Sequence, residues 1–314
     1  MYILFAAASL CAATVFYCPK GAFMYISELF QKKKAVYSFE IFPPKPTAEI
    51  SAVEGTVESL SALAPDYISV TCSAGGSGNS RTPEIARMVK RFGVEPLAHL
   101  TCINSDKSAV SAALRELSAG GIQNVLALRG DRIAGAKESE DFRHASDLVS
   151  FILASGYKFD IAGACYPEGH PECPDILTDI RNLKKKVDAG VSHLNTQLFF
   201  DNDDFYRFRD MLSLAGIDVP VQAGIMPLVK KGNVDRIITL SGAKIPAKIS
   251  RMISRFYEKP ESLMEAGIAY AIDQIVDLLS AGVQGVHLYV MNNAYVARRI
   301  TESVAPILRE INGI

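Results

Sequence analysis

Short apolar runs alternate with longer amphipathic stretches along most of the chain. The short runs are rich in β-branched and aromatic residues, and several are almost continuously apolar, as expected of parallel strands that are buried on both faces. Between them, apolar residues recur at helical spacing up to glycines such as Gly120, Gly190 and Gly216, which are typical helix stops. The eight predicted strands are Val36–Phe42, Tyr67–Thr71, Pro96–Cys102, Asn124–Arg129, Ile161–Tyr166, His193–Phe199, Val219–Met226 and Gly285–Met291.

The alternation of eight strands with helices predicts an α/β fold, either a closed barrel or an open doubly wound sheet. Polar residues at or just past the ends of six successive strands favour the barrel, because there these ends converge on the face where active sites are built. We therefore predict a single (β/α)8 TIM barrel, with consecutive helices Pro246–Tyr257 and Glu261–Ser280 elaborating the connection before the last strand. The strand-end residues are Glu40, Thr71, His99, Arg129 with Asp131, Tyr166 and Gln197.

Composition and charge narrow the function classes. Of the 314 residues, 49% are apolar and 21% are charged, as in an ordinary globular protein with a large core. The formal net charge of −1 gives no reason to expect a nucleic-acid partner or binding to a membrane. The six cysteines form no CxxC pair and the histidines no HxH or HxxxH pair, so we expect no disulfide framework and no metal site. We expect the protein to be cytoplasmic, since reduced thiols suit that compartment. We also expect a homo-oligomer.

The first 23 residues differ from the rest of the chain. Ile3–Tyr17 is an apolar run of 15 residues, which is shorter than the about 20 residues that span a bilayer. It resembles the core of a signal peptide, but no Lys or Arg precedes it. Met24 then begins a polar stretch that is typical of a soluble N-terminus. We expect residues 1–23 to be a mis-assigned start or a dispensable extension, with an export signal as the alternative, and residues 24–314 to form the barrel.

Glu40 is the first candidate for chemistry. It ends the first predicted strand between Phe39 and Ile41, which suggests an apolar setting for its carboxyl group. Desolvation in such a setting favours the protonated form that a general acid needs. The alternative is an ordinary strand-end glutamate that pairs with a lysine or arginine.

Three further segments present polar groups at strand ends. Ala74–Gly78 is a glycine-rich turn, which is either a flexible loop or a place where a flat ligand approaches the backbone. Arg129 and Asp131 flank Gly130, which fits either a local ion pair or a site for a phosphate or a cofactor. The segment 164–172 carries Tyr, His and two Glu side chains between prolines, and we interpret it as a ligand-binding loop. The helix after it places Asp179, Asn182 and Lys186 on one face, which we interpret as part of the same site. The alternative is an ordinary solvated helix face.

Together these segments resemble the bacterial type of the methylenetetrahydrofolate reductase family. The resemblance runs from about Val36 to Tyr289 and thus covers most of the chain. One such motif would be weak evidence, whereas eight in the family's order at fitting separations are strong evidence. The motifs are SFEIFPPK, HLTC, LRGD, CYPEGHPE, LKKKVDAG, TQLFFD, GIMP and the HLY before Val290.

The resemblance implies a flavoprotein that reduces 5,10-methylenetetrahydrofolate to 5-methyltetrahydrofolate. NADH or NADPH would reduce FAD and leave, and the flavin would then pass the hydride to the folate in the same site. Glu40 is implied as the general acid that opens the folate ring, Asp131 as the carboxylate beside the flavin, and Gln197 as a folate contact. Thr71 is implied to contact nicotinamide. The implied cofactor-binding residues are Thr71, Cys72, Ala74, His99, Arg129, Gly130, Asp131, Ala145, Tyr166, His170, Cys173, Asp179, Asn182, Lys185 and Lys186.

The chain departs from the family pattern at several positions. Cys72 stands where an aromatic residue is common, Ala223 replaces a proline, and Asn293 replaces an arginine that helps to bind substrate in some members. The departures bear on nicotinamide preference and on affinity for the folate tail. Two other functions remain open: a folate-binding methyltransferase barrel, and a non-catalytic flavin subunit of an electron-transfer complex.

A chain that begins at Met24 should fold and bind flavin like the full chain, because every predicted strand follows that residue. The measurement is soluble yield together with flavin content for the two forms. Loss of either on truncation would contradict this expectation, as would recovery of a processed and exported product from cells.

Overall fold

The strands close into a barrel. The structure, a computed structural model, describes residues 24–44, 48–72, 81–132, 135, 138–232, 234 and 243–314. Within these residues, eight strands pair in chain order, all in parallel, and the last pairs with the first. The predicted (β/α)8 fold is confirmed. The strands are β1 Val36–Ile41, β2 Tyr67–Val70, β3 Glu95–Thr101, β4 Asn124–Leu128, β5 Asp160–Cys165, β6 His193–Thr196, β7 Val221–Ile225 and β8 Gly285–Tyr289.

Helices surround the barrel, and two of them precede β8 in succession, as the sequence predicts. The pattern did not predict the short first helix or the third helix, although Ile85, Met88 and Val89 in the third follow helical spacing and Pro83 lies in its first turn. No described helix is both long and apolar enough to span a bilayer. The helices are α1 Ile26–Lys32, α2 Ser51–Ser61, α3 Thr82–Arg91, α4 Lys107–Ala119, α5 Ala145–Ala154, α6 Ile176–Asp188, α7 Asn202–Leu214, α8 Ala247–Phe256, α9 Pro260–Ser280 and α10 Ala294–Asn312.

Successive residues of each strand point to opposite sides of the sheet, and this alternation places the site. On β1, Phe39 and Ile41 are fully buried in the main hydrophobic core between the sheet and the helices. Ser38 and Glu40 lie on the other side, inside the barrel, where they contact side chains of other strands. The barrel interior is therefore polar toward its carboxyl end, although both faces of β1 are buried.

Helix α1 covers the amino-terminal end of the barrel. Ile26 and Leu29 pack against residues of the first five strands in a separate apolar cluster. The backbone N–H of Ile26 donates to Asn124 Oδ1 at 2.9 Å, and the N–H of Ser27 donates to Asp160 Oδ2 at 2.7 Å. Asn124 and Asp160 begin β4 and β5, so these bonds tie the free N–H groups of the helix to strand starts. A ligand therefore has to enter from the opposite end.

Replacing Ile26 by alanine tests whether α1 is part of the folding unit. Ile26 is completely buried, so Ile26→Ala should lower the free energy of unfolding by about 2–5 kcal/mol, the usual cost of such a cavity. Leu214→Ala is the matched control, because Leu214 is 88% exposed and its loss should change stability by no more than about 0.5 kcal/mol. Denaturant midpoints compare the variants, and equal midpoints for Ile26→Ala and wild type would show that α1 contributes nothing.

Candidate active site

The carboxyl ends of the strands surround a cavity of about 450 Å³, and a groove of about 400 Å³ adjoins it. The two spaces share Arg129, Tyr166 and His170 in their walls. Every predicted site residue that the structure describes lines one space or both, whereas Ala74 lies outside the described residues. The cavity contains Glu40, Thr71, Cys72, His99, Gly130, Asp131 and Gln197, and the groove contains Ala145, Cys173, Asp179, Asn182, Lys185 and Lys186.

Glu40 lies in a polar setting, not the apolar one that its sequence neighbours predict. That expectation is wrong because Phe39 and Ile41 point to the opposite face of the sheet. Glu40 is 7% exposed, and its Oε2 lies 3.4 Å from Ser69 Oγ, 3.5 Å from His99 Nε2 and 3.8 Å from His287 Nε2. The alternative of a strand-end pair with a lysine or arginine also finds no support, since the described groups around Oε2 are a hydroxyl and two imidazoles.

His99 is a neutral neighbour of Glu40. Burial lowers the pKa of His99 to about 4, and the nearby Glu40 carboxylate only partly opposes this effect. Its Nε2 also lies 3.3 Å from Ser69 Oγ. A neutral imidazole donates a hydrogen bond without bringing a positive charge into the cavity floor.

Arg129 pairs with Glu172, not with the nearby Asp131. Its two terminal nitrogens each lie 2.7 Å from a carboxylate oxygen of Glu172, which gives a forked pair across the shared wall. This hydrogen bonding holds the pKa of Glu172 below its usual value. Gly130 has a φ of +91°, a conformation that suits glycine, and it turns the chain so that the exposed Asp131 borders the cavity.

The loop after β5 is held in a defined shape. The His170 N–H donates to Asp179 Oδ2 at 3.0 Å, and the Tyr166 and His170 rings meet edge to face with centroids 4.6 Å apart. Glu168 accepts a hydrogen bond from the Lys244 backbone at 2.8 Å, which ties the loop to the segment before α8. Burial raises the pKa of Tyr166 to about 12, so its hydroxyl is a neutral donor at the wall between the two spaces.

One face of α6 forms the floor of the groove, as the helical spacing of Asp179, Asn182 and Lys186 predicts. Lys186 is half-buried, and the desolvation lowers the pKa of its ammonium group, whose Nζ donates to the carbonyl oxygen of Ala164. Lys185 Nζ lies 3.4 Å from Asn182 Oδ1 at the same face. The groove thus combines two lysines with Arg129 in its wall.

Two polar groups in the cavity wall are placed to meet a ligand. Thr71 Oγ1 is buried and has no hydrogen-bond partner among the described residues. Gln197 Oε1 accepts from the Leu198 N–H at 2.9 Å, which leaves the amide NH₂ group as the donor that Gln197 can offer. Both features fit recognition of a ring that carries polar edges.

Ser69, His287 and Tyr289 belong to the site but were not predicted from the sequence. His287 and Tyr289 line the cavity, and Tyr289 donates from its hydroxyl to the Thr196 carbonyl at 2.6 Å. The HLY motif was a signal for these two residues, whereas nothing marked Ser69. Among the described residues, no three His, Cys, Asp or Glu side chains cluster closely enough to hold a metal ion.

The chain matches a known protein family over most of its length. The model of the methylenetetrahydrofolate reductase family matches residues 25–305. The chain belongs to the methylenetetrahydrofolate reductase family. The 5,10-methylenetetrahydrofolate reductase of Escherichia coli (strain K12) is 35% identical over 268 residues, which are 85% of this chain and 90% of the relative. The match to methylenetetrahydrofolate reductase (NADH) 1 of Arabidopsis thaliana, also 35% identical, covers 85% of this chain and 48% of the plant protein.

A solved structure supports the fold alone. An uncharacterized protein from Clostridium thermocellum, described as binding two copies of 5-methyl-5,6,7,8-tetrahydrofolic acid, superposes with a TM-score of 0.67 at 13% identity. The superposition covers 91% of this chain and all of that protein.

One departure from the methylenetetrahydrofolate reductase pattern has a structural role. Asn293 caps α10, because its side chain accepts a hydrogen bond from the Val296 N–H at 3.2 Å. A helix start is thus stabilised at the position where some family members place an arginine.

His99 should make folding sensitive to acid. Its pKa is about 4 in the folded protein and 6.5 as the ordinary value, so below pH 6.5 the unfolded chain binds a proton that the folded protein does not bind. The stability that depends on neutral His99 is therefore complete above pH 6.5 and is lost as the pH falls toward 4. In His99→Asn, unfolding free energies measured between pH 7 and 4 should fall less steeply than in wild type. Equal slopes would contradict the assignment.

Proposed function

We propose that the protein reduces 5,10-methylenetetrahydrofolate to 5-methyltetrahydrofolate, with FAD as cofactor and NADH or NADPH as reductant. The observation that carries the proposal is the position of Glu40. An inward-facing carboxyl group lies at the cavity floor among hydrogen-bonding side chains and beside a groove lined with cations. Membership of the methylenetetrahydrofolate reductase family supports the same reaction.

The residues of the groove fit a flavin dinucleotide. Arg129, Lys185 and Lys186 supply positive charge for a pyrophosphate, and α5 begins in the groove with backbone N–H groups that suit phosphate oxygens. The cavity next to it offers the unpartnered Thr71 hydroxyl to a ring system. The two joined spaces match a ligand with a flat end and a charged middle. When bound, FAD supplies the hydride carrier between the nicotinamide and the one-carbon unit of the folate.

The chain's own residues would then handle the proton and the charge. Glu40 donates a proton to the ring nitrogen that leaves when the folate imidazolidine opens, since a protonated amine is the better leaving group. Asp131, at the cavity edge, stabilises the iminium cation that opening produces. Gln197 donates from its amide to the folate ring and orients it.

An anaerobic absorbance experiment tests the proposal. The purified protein should be yellow, NADH or NADPH should bleach the flavin bands, and added methylenetetrahydrofolate should restore them with formation of 5-methyltetrahydrofolate. A colourless protein that cannot be reconstituted with FAD contradicts the cofactor. Bleaching without restoration by the folate contradicts the reaction.

Glu40→Gln should separate the two half-reactions. The variant keeps the shape and hydrogen bonding of the side chain but has no acidic proton, and flavin reduction by a nicotinamide needs none. Bleaching should remain near the wild-type rate, while reoxidation by methylenetetrahydrofolate should slow by about 100-fold or more. Stopped-flow absorbance measures both steps. The matched control is Glu95→Gln at the start of β3, at the other end of the barrel, which should leave both rates unchanged.

Reoxidation of Glu40→Gln by the folate at the wild-type rate would show that Glu40 is not the acid. Slowing of both steps together would point to damage to the cavity instead.

Asp131→Asn should retain FAD and slow folate reduction more than flavin reduction, because its charge acts on the iminium cation. Asp131 is exposed in the ligand-free protein, so its effect depends on the water that the bound ligands exclude. Flavin content and the two stopped-flow rates provide the measurement. Equal slowing of both steps would indicate a structural role.

A further inference from the structure

His287 is buried beneath the cavity and belongs to the HLY motif, to which the proposed reaction gives no role. It is 1% exposed, and its Nδ1 lies 2.7 Å from Ser38 Oγ. On the other side of the ring, Nε2 lies 3.4 Å from Ser69 Oγ. Tyr67 stacks on the ring at a centroid distance of 5.8 Å, and Tyr289 meets it edge-on at 5.2 Å. The imidazole is therefore fixed in one orientation, and in its neutral form either Nδ1 or Nε2 carries the hydrogen.

Gln222 donates a hydrogen bond to Ser38, the residue that contacts His287 Nδ1. Its amide nitrogen Nε2 lies 3.3 Å from the carbonyl oxygens of Val36 and Val286, which can only accept. Its Oε1 accepts from the hydroxyl of Tyr67. The same Nε2 lies 3.0 Å from Ser38 Oγ and must donate to it. Ser38 therefore accepts from Gln222, and its own hydroxyl hydrogen can go to His287 Nδ1 or to the Tyr67 hydroxyl.

The direction continues through His287 to Glu40. If Nδ1 accepts from Ser38, a neutral His287 carries its hydrogen on Nε2. That nitrogen faces Ser69 Oγ at 3.4 Å and Glu40 Oε2 at 3.8 Å. Ser69 then accepts from His287 and donates to Glu40 Oε2 at 3.4 Å. Buried side chains from four strands thus form a chain of contacts that ends on Glu40 Oε2, and His99 Nε2 lies 3.5 Å from the same oxygen.

We infer that His287 is a positioning residue for Glu40: through Ser69 it makes Oε2 the accepting oxygen, so that Oε1 carries the proton to be transferred. This rests on the proposed function. In the step, the O–H bond of Glu40 breaks, an N–H bond forms on the folate, and the electron pair of the opening C–N bond stays on that nitrogen. The carboxylate left behind is stabilised at Oε2 by the Ser69 hydroxyl, and solvent restores the proton before the next turnover.

The tautomer of His287 can be measured without any substrate. In ¹⁵N-histidine-labelled protein, the two ring nitrogens give different shifts according to which one carries hydrogen, and His287→Gln identifies the signals among the five histidines. The inference requires hydrogen on Nε2 in wild type and a mixture of tautomers in Ser38→Ala. Hydrogen on Nδ1 in wild type, or a Ser38→Ala spectrum identical to that of wild type, would overturn it.

Half-reaction rates test the consequence. His287→Leu removes the donor to Ser69 and so weakens the hydrogen bonding that ends on the Glu40 carboxylate. It should slow folate-dependent reoxidation by about 10- to 100-fold, with little change in flavin reduction. His287→Gln retains an N–H donor near the Nε2 position and should recover most of the lost rate. The matched control is His193→Leu, because His193 is also fully buried but lies at the start of β6 with its Nδ1 on Ser192.

Failure of the inference and failure of the proposed function give different results. If wild type takes up no flavin or is not reoxidised by the folate, the proposed function is wrong. If wild type performs both steps and His287→Leu reoxidises at the wild-type rate, only the role of His287 is wrong. Equal losses in His287→Leu and His193→Leu, or no recovery in His287→Gln, would show a purely structural effect and would also overturn it.

Among the described residues, few titratable groups face Glu40, which makes the pH profile of reoxidation informative. They are His99 from β3, His287 and Tyr289 from β8, and Tyr67 from β2. Burial raises the pKa of both tyrosines, so they stay neutral, and it lowers the pKa of His99. The pH profile of folate-dependent reoxidation should change in His287→Leu, because this variant loses the donor to Ser69, and should not change in His193→Leu. Identical profiles in wild type and His287→Leu would contradict the inference.

Discussion

The site depends on the requirement that polar groups inside a closed barrel satisfy one another. Closure of the sheet turns alternate residues of every strand inward, away from both the helices and bulk water. Glu40, Ser69, His99 and His287 come from β1, β2, β3 and β8, and they meet only because the sheet closes. A buried carboxyl group without such partners would be costly, and with them it is held in one place. The catalytic proposal therefore follows from the architecture as much as from the residue itself.

The same end of the barrel joins two kinds of surface. The cavity floor places the Glu40 carboxyl group among hydroxyl and imidazole groups, while the groove beside it contains Lys185, Lys186 and Arg129. Arg129 stands in the shared wall with its guanidinium group on Glu172. In the proposed function, this division would hold the charged middle of the cofactor in the groove and its reactive ring in the cavity.

Much of the fold, and many of the residues that line the cavity, could be predicted from the sequence, because both follow from where each strand lies and ends. Apolar runs mark the strands, and every strand of a parallel barrel ends on the same face, so strand-end residues such as Thr71 and Gln197 converge. The surroundings of Glu40 could not be predicted. Its sequence neighbours Phe39 and Ile41 point outward, and His287 is far along the chain and was marked only by a short motif. Closure of the barrel, not sequence proximity, selects these contacts.

Glu40 is proposed to carry the proton for folate reduction. Infrared difference spectroscopy of the reduced protein on mixing with methylenetetrahydrofolate tests it most directly, with Glu40→Gln used to identify the band. A protonated carboxyl stretch that belongs to Glu40 should be present before mixing and should give way to a carboxylate band as 5-methyltetrahydrofolate forms. A Glu40 carboxylate present throughout, with the product formed at the wild-type rate, would contradict it.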